Sequence, residues 1–146
     1  MNVGYIKVKG DIITFPYGIK TIDHEVLFGM VAWDGSDYED QLNYLQENLI
    51  ELYIPDSVKS IADDTFAHCS NLRRVLISEE NNLRYIEICA FFQCDSLKYF
   101  DFEFCDKLRL VDSAAFCATS ITQEQLDKIP YKESVFFGER VIDKEV

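Results

Sequence analysis

The sequence predicts a repeat solenoid of the α/β class. Short strands stack into a ladder joined by turns and short helices, with one inserted helix and a C-terminal cap. Three observations predict it. Segments 49–71, 72–96 and 97–120 align on one another in apolar columns at a period of 25 residues. Each segment opens on LxxLxI, whose last two apolar positions are two apart, the period of a strand with one buried face. One such unit has too little apolar surface to close a core alone, so it must stack on its neighbours.

The columns are specific in residue type. Val58, Leu83 and Leu108 form one; Ile61, Ile86 and Val111 a second; Phe66, Phe91 and Phe116 a third. Cys69 and Cys94 keep the same offset. The strand starts Leu49, Leu72, Leu97 and Ile121 lie 23, 25 and 24 residues apart, so the units differ by small loop insertions. Ile54 to Val58 spans four residues, whereas Ile77 to Leu83 and Phe102 to Leu108 span six.

In chain order, the first unit is 13–29, where Phe15, Pro16, Ile19, Ile22 and Leu27 match Ile54, Pro55, Val58, Ile61 and Phe66. A helical insertion at 30–48 separates it from the next unit. Ser36 and Glu39 have capping-box spacing, acids crowd the first turn, and Tyr38, Leu42, Leu45 and Leu49 share a helical face. In the repeats proper, each strand gives way to a turn (Pro55-Asp56-Ser57 in one unit), then to VxxI and a helical or turn stretch ending in Phe. The tail, 121–146, reads as a cap: Thr122 and Gln125 frame a short helix, Pro130 ends it, and SVFFGERVI is strand-like with Gly138 at a turn. The whole is one domain, as 146 residues allow.

The pattern IPxSVxxIxxxxFxxCxxLxxVxI resembles the BspA-like leucine-rich repeats. It is carried by Ile54, Pro55, Ser57, Val58, Ile61, Phe66, Cys69, Leu72, Val75 and Ile77. The resemblance implies a right-handed leucine-rich-repeat solenoid and a role in surface adhesion or protein binding. The chain differs from the secreted adhesins in its few repeats and its large insertion.

Composition excludes several classes. With 48% hydrophobic and 27% charged residues the chain is neither disordered nor membrane-spanning, since no run nears about 20 apolar residues. A net charge of −12 argues against direct nucleic-acid binding and against anionic membranes. In MNVGYIKVKGDIITF, Gly10 and Asp11 interrupt any apolar core of a signal segment. A cytoplasmic location with five reduced cysteines is therefore expected.

Catalytic chemistry is not expected. His68 adjoins Cys69, but its column mate is Gln93, which fits a corner of the repeat better than a nucleophile pair. The cysteines at 69, 89, 94, 105 and 117 contain no CxxC pair for zinc, and the six glycines form no phosphate loop. Cys69 and Cys94 fall within disulfide reach, yet small buried thiols filling a ladder position are the stronger reading. No enzyme, cofactor or metal is expected.

Binding is the remaining class. Between the buried positions of LxxLxI, two outward columns stack: Glu51, Arg74 and Tyr99, and Tyr53, Leu76 and Asp101. Their tyrosines and arginine have interface composition. The first expectation is a non-catalytic module that binds a protein partner through this face. The second is an acidic inhibitor of a nucleic-acid-acting enzyme, of the phage counter-defence or anti-CRISPR type, using Asp34, Asp37, Glu39, Asp40 and Glu47. The third is a fragment of a secreted adhesin.

Overall fold

A computed structural model of the chain describes residues 2–30 and 37–143. Its strands are β1 (Tyr5–Val8), β2 (Asp11–Thr14), β3 (Thr21–Ile22), β4 (Leu49–Tyr53), β5 (Ser60–Ile61), β6 (Arg74–Leu76), β7 (Tyr85–Ile86), β8 (Tyr99–Phe100), β9 (Leu110–Val111) and β10 (Phe136–Phe137). Helices α1 (His24–Met30), α2 (Tyr38–Asn48) and α3 (Gln123–Leu126) complete the elements used below. Two five-stranded sheets share one apolar core: β2-β1-β4-β6-β8 and β10-β9-β7-β5-β3.

Each of the three aligned segments supplies one strand to each sheet, and neighbouring segments pair in parallel. Two strands per unit corrects the expectation of one. In VxxI the outer two residues point inward and the middle two outward, so a strand of only two residues forms where alternation cannot be read. Ile61, Ile86 and Val111 sit in one register and are fully buried.

Of the helix or turn expected in the stretches after VxxI, the chain takes the turn. Asp64, Cys89 and Ala114 open them, and His68, Gln93 and Ala118 close them, all at φ between 56° and 65°. Left-handed backbone costs a non-glycine residue stability and ends any helix. What offsets the cost is hydrogen bonding along the stack. The amides of Asp64, Phe66 and His68 donate to the carbonyls of Ile88, Ala90 and Phe92 at 3.1, 2.9 and 2.7 Å. Cys89, Phe91 and Gln93 repeat the pattern onto Ser113, Ala115 and Cys117, and Ala114, Phe116 and Ala118 repeat it onto Glu139, Val141 and Asp143. The end of the tail thus adds one more rung to the ladder.

Phenylalanine fills the centre. Phe91 stacks between Phe66 and Phe116, each ring pair 5.3 Å apart and within 11° of parallel. Phe100 meets Phe91 and Phe116 edge-on at 5.7 and 5.2 Å. Cys69 and Cys94 are buried free thiols in one column, and Thr119 takes the equivalent place in the next unit. Cys94 Sγ donates to the Phe66 carbonyl at 2.9 Å, and Thr119 Oγ1 to that of Phe116 at 2.8 Å. Burial first, and the neighbouring Cys69 second, push the Cys94 thiol well above its usual range. These thiols are packing groups rather than nucleophiles.

The N-terminus departs from the expected register. The second half of unit 13–29 sits as aligned, with Ile22 beside Ile61 and Leu27 fully buried. Its first half does not pair with β4. β1 intervenes, antiparallel to both β2 and β4. Gly4 permits this approach: its φ is +67°, and a Cβ there would lie 2.2 Å from the Tyr53 carbonyl oxygen.

Helix α2 forms as expected, with two differences. Ser36 lies outside the described residues, and Asp37 caps the helix by accepting the Asp40 amide at 2.9 Å. Leu49 begins β4 rather than extending the helical face, which leaves Leu45 as the buried residue of the helix. In the tail, the Thr122–Gln125 capping box is present at α3.

Phe91→Ala removes a ring stacked on both sides and should cost about 3–5 kcal/mol. Phe137→Ala, at a half-buried position, should cost distinctly less. Chemical denaturation of both variants checks this, and equal midpoints would contradict the stacking register.

Candidate functional site

The outer face of the first sheet carries the residues singled out from LxxLxI. Parallel pairing sets Glu51 beside Arg74 and Arg74 beside Tyr99, and sets Tyr53 beside Leu76. Asp101 follows directly after β8 and closes the second column through its side chain. Its carboxylate accepts the Ile77 amide at 2.9 Å. Burial raises the Asp101 carboxyl above the usual carboxylate range, and that amide works in the opposite direction.

The six residues are not equivalent. Arg74, Leu76, Tyr99 and Asp101 line a shallow depression of about 400 Å³. Tyr99 is 57% exposed at its edge, with Lys98 Nζ 6.0 Å from the ring centroid. Glu51 and Tyr53 are engaged within the protein instead. Glu51 accepts the Tyr5 hydroxyl at 2.6 Å and pairs with Arg74 at 3.6 Å, which leaves its side chain only 15% exposed. Tyr53 is half-buried and meets the Tyr5 ring edge-on at 5.6 Å. Their placement on this face agrees with the sequence, but β1 has covered them.

Sequence reasoning missed the residues responsible. Tyr5 lies opposite Tyr53 and Lys7 opposite Glu51, while Thr14 and Ile12 pair with them from β2. The alternation of Tyr5-Ile6-Lys7-Val8, with Ile6 and Val8 buried, is the signal that reveals this strand. Ile12 is 58% exposed on this same face.

The acidic residues divide into two places. Asp34 lies outside the described residues. Asp37, Glu39 and Asp40 are exposed in the first turn of α2, and Asp37 is committed to capping. Glu47 is about 10–15 Å farther along the axis. There it lines a different depression together with Lys9 and Arg73. The expected patch is therefore a cluster of three at one helix end, with Glu47 beside cations.

The histidines hold structure together. His24 Nε2 donates to the Thr65 carbonyl at 2.9 Å, and its Nδ1 lies 2.9 Å from the Tyr38 hydroxyl. Its ring stacks on Phe28, which ties α1 to the start of α2 and to the repeats. His68 sits at a left-handed turn position, edge-on to Phe92. Among the described residues no group of three His, Cys, Asp or Glu could hold a metal ion. Among the same residues no helix is long and apolar enough to cross a membrane.

A family model described as BspA type leucine rich repeat region matches residues 38–140 in six copies. No curated protein and no solved structure matches the chain.

The bond from Tyr5 to Glu51 joins β1 to the repeats and makes this face sensitive to alkali. That hydrogen bond first, and burial second, push the Tyr5 phenol up from 10.0 to about 12. The folded state holds this proton more tightly than the unfolded state. The contribution is therefore complete below about pH 10 and is lost as pH rises toward 12. Tyr5→Phe should cost about 1 kcal/mol at neutral pH, a modest figure because the pair is partly solvated. Between pH 10 and 12, wild type should lose stability faster than the variant. Thermal melts across that range test it, and parallel losses would contradict it.

Proposed function

The chain belongs to the BspA-type leucine-rich repeat family, and from that premise we propose that it is a non-catalytic interaction module. In this reading it is a right-handed solenoid that binds a protein partner through the outer face of its first sheet. Leucine-rich repeats generally mediate protein interactions, which supports the class of function. The observation that carries the choice of face is the depression between Arg74, Leu76, Tyr99 and Asp101, with an exposed tyrosine at its rim. A flat arginine fork, an aliphatic floor and an aromatic edge on rigid strands are the composition of an interface hot spot. Preorganisation helps, because β6, which carries Arg74 and Leu76, is paired on both sides and loses little conformational freedom on binding.

Glu51 and Tyr53 flank this surface on the neighbouring strand and hold Arg74 and Tyr5 in place. The reading includes a cytoplasmic setting, which the buried free thiols suit.

Capture of the partner from the source cell, followed by calorimetry with purified variants, tests the proposal. Tyr99→Ala and Leu76→Ala should each weaken binding by at least about 2 kcal/mol while shifting stability by no more than about 0.5 kcal/mol. Replacing Asp37, Glu39 and Asp40 together by their amides should leave affinity unchanged. If the amide variant instead loses binding, and wild-type affinity collapses with salt, the acidic-inhibitor reading takes its place.

A further inference from the structure

The second sheet has an outer face of different chemistry. In each VxxI element the two middle residues point outward, and the first of them is a cation four times in succession. These are Lys20, Lys59, Arg84 and Arg109, all exposed. The backbone bonds them into a line: Lys59 N donates to Lys20 O, Arg84 N to Lys59 O, and Arg109 N to Arg84 O, at 2.7 to 2.9 Å. They form no ion pair among the described residues. Arg109 alone bonds through its side chain, to the neighbouring Leu108 carbonyl at 3.0 Å.

Like charges held at strand spacing, about 4.8 Å, repel one another. Here they stack on a chain whose net charge is −12, and the buried Asp56 lines the depression beside Lys20 and Lys59 without an ion pair to either among the described residues. The second outward column runs beside the first, from Ser60 through Tyr85 and Leu110 to Phe136. Tyr85 is 39% exposed and Phe136 67%. Past the buried strand residue come Glu87 and Asp112, where burial, Asp63 and Asp112 all raise the Glu87 carboxyl. The face is thus zoned: cations on one edge, an apolar strip in the middle, carboxylates on the other edge.

We propose that this face binds an extended acidic segment of a partner polypeptide, whose carboxylates meet the cation column and whose apolar side chains cover Tyr85, Leu110 and Phe136. Charge complementarity selects the partner's acidic edge, since the four cations have no ion-pair partner among the described residues. The carboxylates Glu87 and Asp112 disfavour a phosphate strand, because a nucleic acid lying on the aromatic strip would face them along its other side. The chain's overall negative charge does not prevent local recognition, because charges beyond about 8 Å are screened at physiological salt.

An array of twelve-residue peptides combining two Phe with none to six Glu tests this against the intact protein. Binding should rise with Glu content and fall at least about tenfold between 50 and 300 mM salt. The triple variant Lys59→Gln/Arg84→Gln/Arg109→Gln should lose at least about tenfold, Phe136→Ala should also weaken binding, and Ile12→Ala, exposed on β2 of the other sheet, should not. If the triple variant does not fold, Arg84→Gln alone should weaken binding and Arg84→Lys should restore most of it. Binding that ignores Glu content or the cation variants overturns the proposal. So does tighter binding of a twelve-nucleotide single strand than of any acidic peptide. Dimerisation in sedimentation that the cation variants abolish also overturns it, since the occupant is then a second copy of the chain.

Discussion

One phenylalanine ring lying flat on the equivalent ring of the next unit, 5.3 Å away, is the contact on which the rest of the structure depends. The spacing is close to that of neighbouring strands, so the ring stack and the two hydrogen-bonded ladders share one repeat. A shift of any unit by one residue would turn its phenylalanine out of the stack and its outward residues into the core. Length variation is therefore confined to places where the chain leaves both ladders. The loop before Leu83 is an example, where fully buried Asn81 donates to the carbonyls of Ser78 and Phe104 and accepts the Leu83 amide.

Because the inside is fixed in this way, the outside is fixed too. Every outward side chain of one unit lies beside its counterpart in the next, so a preference at a single position becomes a continuous stripe. On the first sheet this gives the line of Glu51, Arg74 and Tyr99. On the second it gives the row of cations flanked by Tyr85, Leu110 and Phe136. The two sheets therefore present different chemistry from one repeat, which is how a small repeat protein can hold two distinct surfaces.

The apolar columns were legible in the sequence because residue type and spacing recur together, as with Phe66, Phe91 and Phe116. The second sheet was not, because two-residue strands such as Ser60–Ile61 leave no alternation to detect. The stretches after VxxI read as helix or turn alike because their left-handed positions carry Asp64, His68, Cys89 and Gln93 rather than glycine. Stacking hydrogen bonds, which depend on a neighbouring unit, hold that backbone in place, and local propensity does not register them. The depression at Arg74, Leu76, Tyr99 and Asp101 follows from strand alternation alone. Glu51 and Tyr53 were misjudged as free surface because what covers them, Tyr5, comes from a strand about 45 residues away in sequence, a pairing that no periodicity encodes. The cation column was present in the sequence as Lys20, Lys59, Arg84 and Arg109, but its meaning needs the outward direction of the VxxI middle positions.

Native-state hydrogen exchange tests most directly whether the stack acts as one cooperative ladder. The amides of Phe66, Phe91 and Phe116 each donate to the adjacent unit, at 2.9, 2.9 and 2.8 Å. If the ring stack governs the fold, all three exchange only through global unfolding and share one free energy, equal to that from denaturation. Exchange of Phe66 or Phe116 at a clearly lower free energy than Phe91 would show units opening independently, and would contradict a single stack holding both faces in register.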